Sequence, residues 1–160
     1  MNEPTEIKYP LDENGDPYFA ATHADAISES EKLLKNLINY GGWTKFTPLN
    51  GKANTAFKAD GENGFDCSYR VIEILGIKIK TIQINLSNLS DGMTIHNFPE
   101  NFAKESQSWL IRGPGKRYPA TISLRPNGRM AVVLNAADKN DWTKDDYIYG
   151  SYTWIEKENE

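Results

Sequence analysis

From Trp43 onwards the chain reads as a succession of short strand-like runs, each closed by Gly, Asn or Pro, and this punctuation constrains the fold more than any single motif. The runs are "WTKFTP", "NTAFKA", "FDCSYRVIEIL", "IKIKTIQINL", "MTIHNF", "SWLIR", "YPATISLR", "RMAVVLN" and "YIYGSYTWIE". β-Branched and aromatic residues recur in them at alternate positions, as in a strand with one buried face. Their spacing predicts an antiparallel β-sandwich or barrel. "LRPNGRMAVVL" predicts a hairpin turning at Pro126-Asn127-Gly128. In the last run Ile148, Tyr152 and Trp154 share a face and are expected to point inward. In "IKIKTIQINL" the apolar phase slips: Ile77 and Ile79 share one face, and Ile82, Ile84 and Leu86 share the other. A bulge near Lys80 or Thr81 would re-aim the side chains in this way.

The first 42 residues have a different character, so the expected division is an arm over 1–42 and a β head over 43–156, with a frayed tail. In "ENGD", Asn14-Gly15 predicts a hairpin-like arm, with Tyr9 and Leu11 facing Tyr18 and Ala20; Pro10 and Pro17 confine such a ribbon to an edge. Thr22 reads as an N-cap with Asp25 three residues on, and the spacing of Ala26, Ile27, Leu33, Leu34, Leu37 and Ile38 predicts one α-helix over 23–40. Gly41-Gly42 closes it. Ile27 with Leu34, and Ser30 with Leu37, fit coiled-coil core positions, yet barely two heptads could not hold chains together alone. A helix packed on its own domain fits the same pattern.

Composition excludes several classes. A chain of 160 residues can bury one sizeable core without disulfides, and Cys67 is the single cysteine, so neither an intrachain disulfide nor a cysteine zinc site is possible. With 18 basic and 22 acidic residues interspersed, the net charge of -4 predicts no nucleic-acid footprint. No basic segment and apolar core follow Met1, and Glu73, Lys78 and Lys80 break the most apolar run, so neither a leader peptide nor a membrane span is expected.

Metal and catalytic motifs are similarly thin. Asp12, Asn14 and Asp16 match the opening of a calcium loop, but Pro17 stands where that loop needs Gly and His23 where it needs Glu. Asp138, Asp141, Asp145 and Asp146 form an acidic run interrupted by Lys139 and Lys144, which reads as a solvated loop. Pairs such as Asp66 with Glu73, or Asp141 with Asp145, can be drafted as glycosidase carboxylates, but a chain this acidic always offers such pairs. Neither His23 nor His96 is flanked by a nucleophile motif. The expectation is a protein without enzymatic activity or cofactor. A saccharide-binding surface is the last candidate, because aromatic rings stack on sugar faces while polar side chains bind hydroxyls; the residues alone do not choose among these readings, and alternate aromatics in the final strand fit a core equally well. Trp109, Arg117 and Tyr118 in "SWLIRGPGKRYPA", Asp141 and Trp142 in "NDWTKDDYIYGSYTW", and His96 in "MTIHNF" are the contact candidates.

Two stretches carry a family resemblance. "YPLDENGDPYFAATHADAI" resembles the opening of tail-fibre and baseplate proteins of phages and prophages of Gram-positive bacteria, through Tyr9, Pro10, Asp12, Gly15, Pro17, Tyr18, Thr22, His23, Ala26 and Ile27. From Trp43 the chain is similar to the terminal heads of phage receptor-binding proteins. Trp43, Leu49, Asn50, Gly51, Tyr69 and Arg70 carry the first part, and Ile95, Pro99 and Phe102 the next. "ISLRPNGRMAVV" and "YIYGSYTW" resemble their hairpin and closing strand. A Gly expected soon after Tyr69-Arg70 comes late, at Gly76. The resemblance implies a homotrimer whose residues 1–22 dock on other virion proteins and whose β head binds a host cell-wall saccharide. Ile27, Leu34 and Leu37 would then pack around the threefold axis. Such a protein is made in the bacterial cytoplasm and carried on the tail or capsid surface of the virion. A purely structural particle protein and a cell-wall depolymerase are the alternatives.

Overall fold

The computed structural model of the protein describes Asn14 and residues 32–33, 37–53 and 64–157. The chain divides into two compact units, Met1–Asn39 and Tyr40–Glu160. In the first, Asn14 lies in a turn, and Lys32, Leu33 and Leu37 are helical, with both leucines exposed. Ile27, Leu34 and most of the expected arm lie outside the described residues. The helix expected to run to residue 40 stops short. Ile38–Tyr40 is a strand (β1), as its β-branched and aromatic residues prefer. Tyr40 belongs to the second unit, where its hydroxyl accepts a hydrogen bond from Arg70 at 3.2 Å, and the Gly41 N–H donates to the Val71 carbonyl.

The second unit continues with β2 (Thr44–Lys45), β3 (Lys52–Ala53), β4 (Ser68–Ile74), β5 (Ile77–Ser87), β6 (Thr94–Asn97), β7 (Gln107–Ile111), β8 (Ala120–Leu124), β9 (Arg129–Val133) and β10 (Tyr147–Lys157). β5 is the centre of one antiparallel sheet, flanked by β4 and β10, with β2 along β4 and β3 along β5. The other sheet has the order β6-β9-β8-β7, a Greek key in which β6 returns beside β9. Ile82, Ile84 and Leu86 of β5 and Ile148 of β10 are fully buried with Ile122, Leu124, Met130 and Val132 of the second sheet. The mainly β, sandwich-like architecture is therefore the one expected, and the barrel is not closed. Ile148, Tyr152 and Trp154 pack inward as the alternation of β10 requires. The sheets touch along one edge, where the Tyr149 N–H donates to the Arg112 carbonyl at 2.9 Å.

The hairpin at Pro126-Asn127-Gly128 forms. Gly128 has φ +83°, its N–H donates to the Arg125 carbonyl, and a Cβ there would collide with the Phe98 carbonyl. The bulge expected near Lys80 does not form: β5 keeps an unbroken register with both neighbours. Lys80 itself takes the inward position, in line with Ile82, Ile84 and Leu86. Its ammonium donates to the Phe102 carbonyl at 2.5 Å and meets the Glu156 carboxylate at 2.6 Å, over the Phe102 ring. Glu156 also accepts from the Trp154 indole at 2.7 Å and from the Lys104 N–H. The phase slip is thus a buried, hydrogen-bonded ion pair rather than a change of backbone. The irregularity lies instead in β6, where pairing with β9 shifts between Thr94 and His96.

Candidate functional site

The bridge between Arg112 and Tyr149 fixes which loops can meet. β7 runs out through Arg112 into loop 112–119, and β10 begins at Tyr147 after loop 134–146, so both loops lie at the same end of the sandwich. A single 3₁₀ turn, Lys139–Asp141, interrupts the second loop.

Two buried carboxylates lock these loops together. Asp146 accepts from the Thr143 N–H at 2.8 Å, the Thr143 hydroxyl at 3.1 Å, and Arg117 Nε and Nη2 at 3.0 and 2.9 Å, while Lys116 lies 3.3 Å from its other oxygen. Burial opposes the charge on Asp146. The Thr143 N–H, Arg117, Lys116 and the Thr143 hydroxyl outweigh it and bring the carboxyl from 3.8 down to about 2. Asp138 accepts from the Tyr118 N–H at 2.8 Å and from the Trp142 indole at 3.4 Å. Arg117 also donates to the Asp141 carbonyl. The Trp142 ring lies against Gly113, where a Cβ would stand 3.1 Å from it. The acidic run is solvated along most of its length, as its sequence suggests, with Asp141, Lys144 and Asp145 exposed, but two of its acids are buried. Asp138 and Asp146 organise its interior, because a buried carboxylate persists only where donors surround it.

Arg117, Tyr118, Asp141 and Trp142 thus come together. Tyr118 is 58% exposed, the Asp141 side chain is exposed and Trp142 is half-buried against the core. Arg117 is a holder, its Nε and Nη2 engaged inside the cluster. Beside this platform a cleft of about 450 Å³ is lined by Lys52, Ser87, Asn88, Lys144 and Asp145. Chemically, the platform offers an aromatic face, a carboxylate acceptor and the Lys116 ammonium, a set suited to a hydroxyl-rich ligand.

Trp109 and His96 lie elsewhere. Trp109 alternates inward with Ile111 on β7, is 8% exposed and stacks on Tyr152 at 4.4 Å, so its ring is not offered to solvent. His96 packs between Phe46 and Phe98 at 4.6 and 4.7 Å. Burial holds its pKa below the usual imidazole value, against a backbone hydrogen bond at Thr47 that raises it. Among the described residues no cluster of His, Cys, Asp and Glu fits a metal ion. Of the drafted carboxylate pairs, Asp66 faces Lys45 at 2.5 Å and Glu73 faces Lys78 at 4.0 Å. Sequence reasoning missed Lys116 and Thr143. Thr143-x-x-Asp146 carries the signal of a capping-box-like turn, in which the acid reaches back to the Thr N–H. The chain matches no protein-family model and no curated protein.

Proposed function

We propose that the chain is a receptor-binding module of a phage or prophage particle, and that it holds a host cell-wall saccharide at the loop platform of Tyr118, Asp141 and Trp142. The observation that carries this reading is the locking of loops 112–119 and 134–146 by Asp138 and Asp146, which leaves Tyr118 and Asp141 outward on a pre-ordered surface. Pre-ordering matters because a weak sugar contact cannot offset the cost of ordering a loop on binding. The particle displays several copies, three per unit in the arrangement the family resemblance implies, and linked sites raise avidity by ~10²–10⁴ without new contacts.

A structural particle protein is the competing reading, favoured by the inward engagement of Arg117, Asp138 and Asp146. Binding of the purified chain to cell walls of Gram-positive hosts separates the two. Tyr118→Ala removes an exposed ring and keeps the backbone N–H that Asp138 holds, so it tests the platform without unfolding it. Trp142→Ala would also remove packing against Gly113. Wall binding that is lost in Tyr118→Ala supports the reading; a wild-type chain that joins particles but binds no wall selects the structural one.

A further inference from the structure

β10 is the edge strand of its sheet, and the bridge from the Tyr149 N–H to the Arg112 carbonyl sets which way its backbone groups point. In an antiparallel strand these groups alternate from side to side. Since Tyr149 faces away from β5, so do Ser151, Thr153, Ile155 and Lys157. Lys157 is already engaged, its carbonyl accepting from Lys104 Nζ at 3.0 Å. Ser151, Thr153 and Ile155 have no backbone partner among the described residues, and all three are exposed. Beyond the bridge no further backbone pair joins β7 to β10 among the described residues; Trp109 stacks on Tyr152, the Tyr152 hydroxyl donates to Gln107 Oε1 at 3.3 Å, and a cleft of about 380 Å³ is lined by Lys104, Glu105, Gln107, Ile155, Glu156 and Lys157.

Edge strands are commonly blunted by Pro, a bulge or a charge pointing outward. The window from Ser151 to Ile155 has none of these, and its register with β5 is unbroken. We infer that this window pairs with the same window of a second copy, antiparallel about a twofold axis through Thr153. The window is closed at one end by the bridge and at the other by Lys104, so it admits a short strand, and its own copy has the matching length and polarity. Across the axis Thr153 meets Thr153 and Ser151 meets Ile155, with each N–H facing a carbonyl. A single edge buries little area, so the contact is weak and concentration-dependent. It is also isologous, so it joins copies in twos: two lone chains, or the heads of two neighbouring clusters if the clusters are trimers. The window begins four residues beyond the start of β10, where the loop platform lies, and includes none of the platform residues Tyr118, Asp141 and Trp142, so both surfaces stay available at once. The inference does not depend on saccharide binding.

Light scattering on the full chain from micromolar to millimolar concentration tests it. The expected result is a doubling of mass in the wild type that Thr153→Pro abolishes. Pro at 153 removes an N–H that faces away from β5, together with the hydroxyl that bonds Thr81 at 2.9 Å; the ladder to β5 is kept, and unchanged circular dichroism checks the fold. Ile155→Lys, which adds an edge charge without touching the backbone, should abolish the doubling as well. A wild-type mass that stays constant, or association that survives in a folded variant, would overturn the inference. Wall binding that persists when doubling fails would sink this inference alone, and doubling without wall binding would sink only the functional reading.

Discussion

Lys80 shows how a charge can sit in a core of branched aliphatics. Its ammonium and the Glu156 carboxylate are both buried, and each has further partners: the Phe102 carbonyl for the lysine, the Trp154 indole and Lys104 N–H for the glutamate. Removing one partner strands the other, whereas removing both charges need not. Lys80→Met should therefore cost about 3 kcal/mol, and the double variant Lys80→Met with Glu156→Gln clearly less than that. Urea unfolding of the single and double variants measures the difference. Asp146 makes a second residue-scale prediction. Its folded pKa of about 2 lies below the ordinary 3.8, so its contribution is complete above pH 4 to 5, roughly, and fades as pH falls toward 2. The shift corresponds to about 2 kcal/mol, and Asp146→Asn should flatten that part of the stability–pH curve.

At the scale of elements, the β4–β5 hairpin carries an exposed departure from local preference. Its two-residue turn is Leu75-Gly76, and both residues have positive φ, +51° and +75°. Gly is at ease there and leucine is not; the other non-glycine residues with positive φ among the described residues are asparagines, Asn88 and Asn101. Leu75 is 69% exposed, so no packing compensates among the described residues. Leu75→Asn should raise stability by about 1 kcal/mol in thermal or urea unfolding. Strands such as Gln107–Ile111 and Ala120–Leu124 were legible because alternation survives in them, and the Asn127-Gly128 turn because its chemistry is local; the run "NTAFKA" lies outside the described residues. The buried Lys80 was not, since an alternation rule reads lysine as outward and its partner Glu156 is remote in sequence. The same limit hid the loop platform. Asp146 looks like one acid among several until Arg117, from another loop, is folded against it. Trp109 could have been placed correctly, because it shares a strand face with Ile111. Ile38–Tyr40 continued a helical spacing, yet its residues favour a strand.

Considered as a whole molecule, the β unit separates its surfaces along β10. The strand starts beside the locked loops, and its outer edge over 151–155 has no backbone partner among the described residues, with the aromatic stack of Trp109, Tyr152 and Trp154 behind it. A receptor could be held at the loops while copies pair along the edge. The claim on which the functional account rests is that the platform recognises a wall saccharide, and sedimentation of the purified chain with host cell walls tests it most directly. The account predicts saturable binding, competition by soluble wall saccharide, and a loss of roughly tenfold or more in affinity for Tyr118→Ala with the fold intact. Binding that is unchanged in Tyr118→Ala, or no binding to any host wall by a folded wild-type chain, would contradict it.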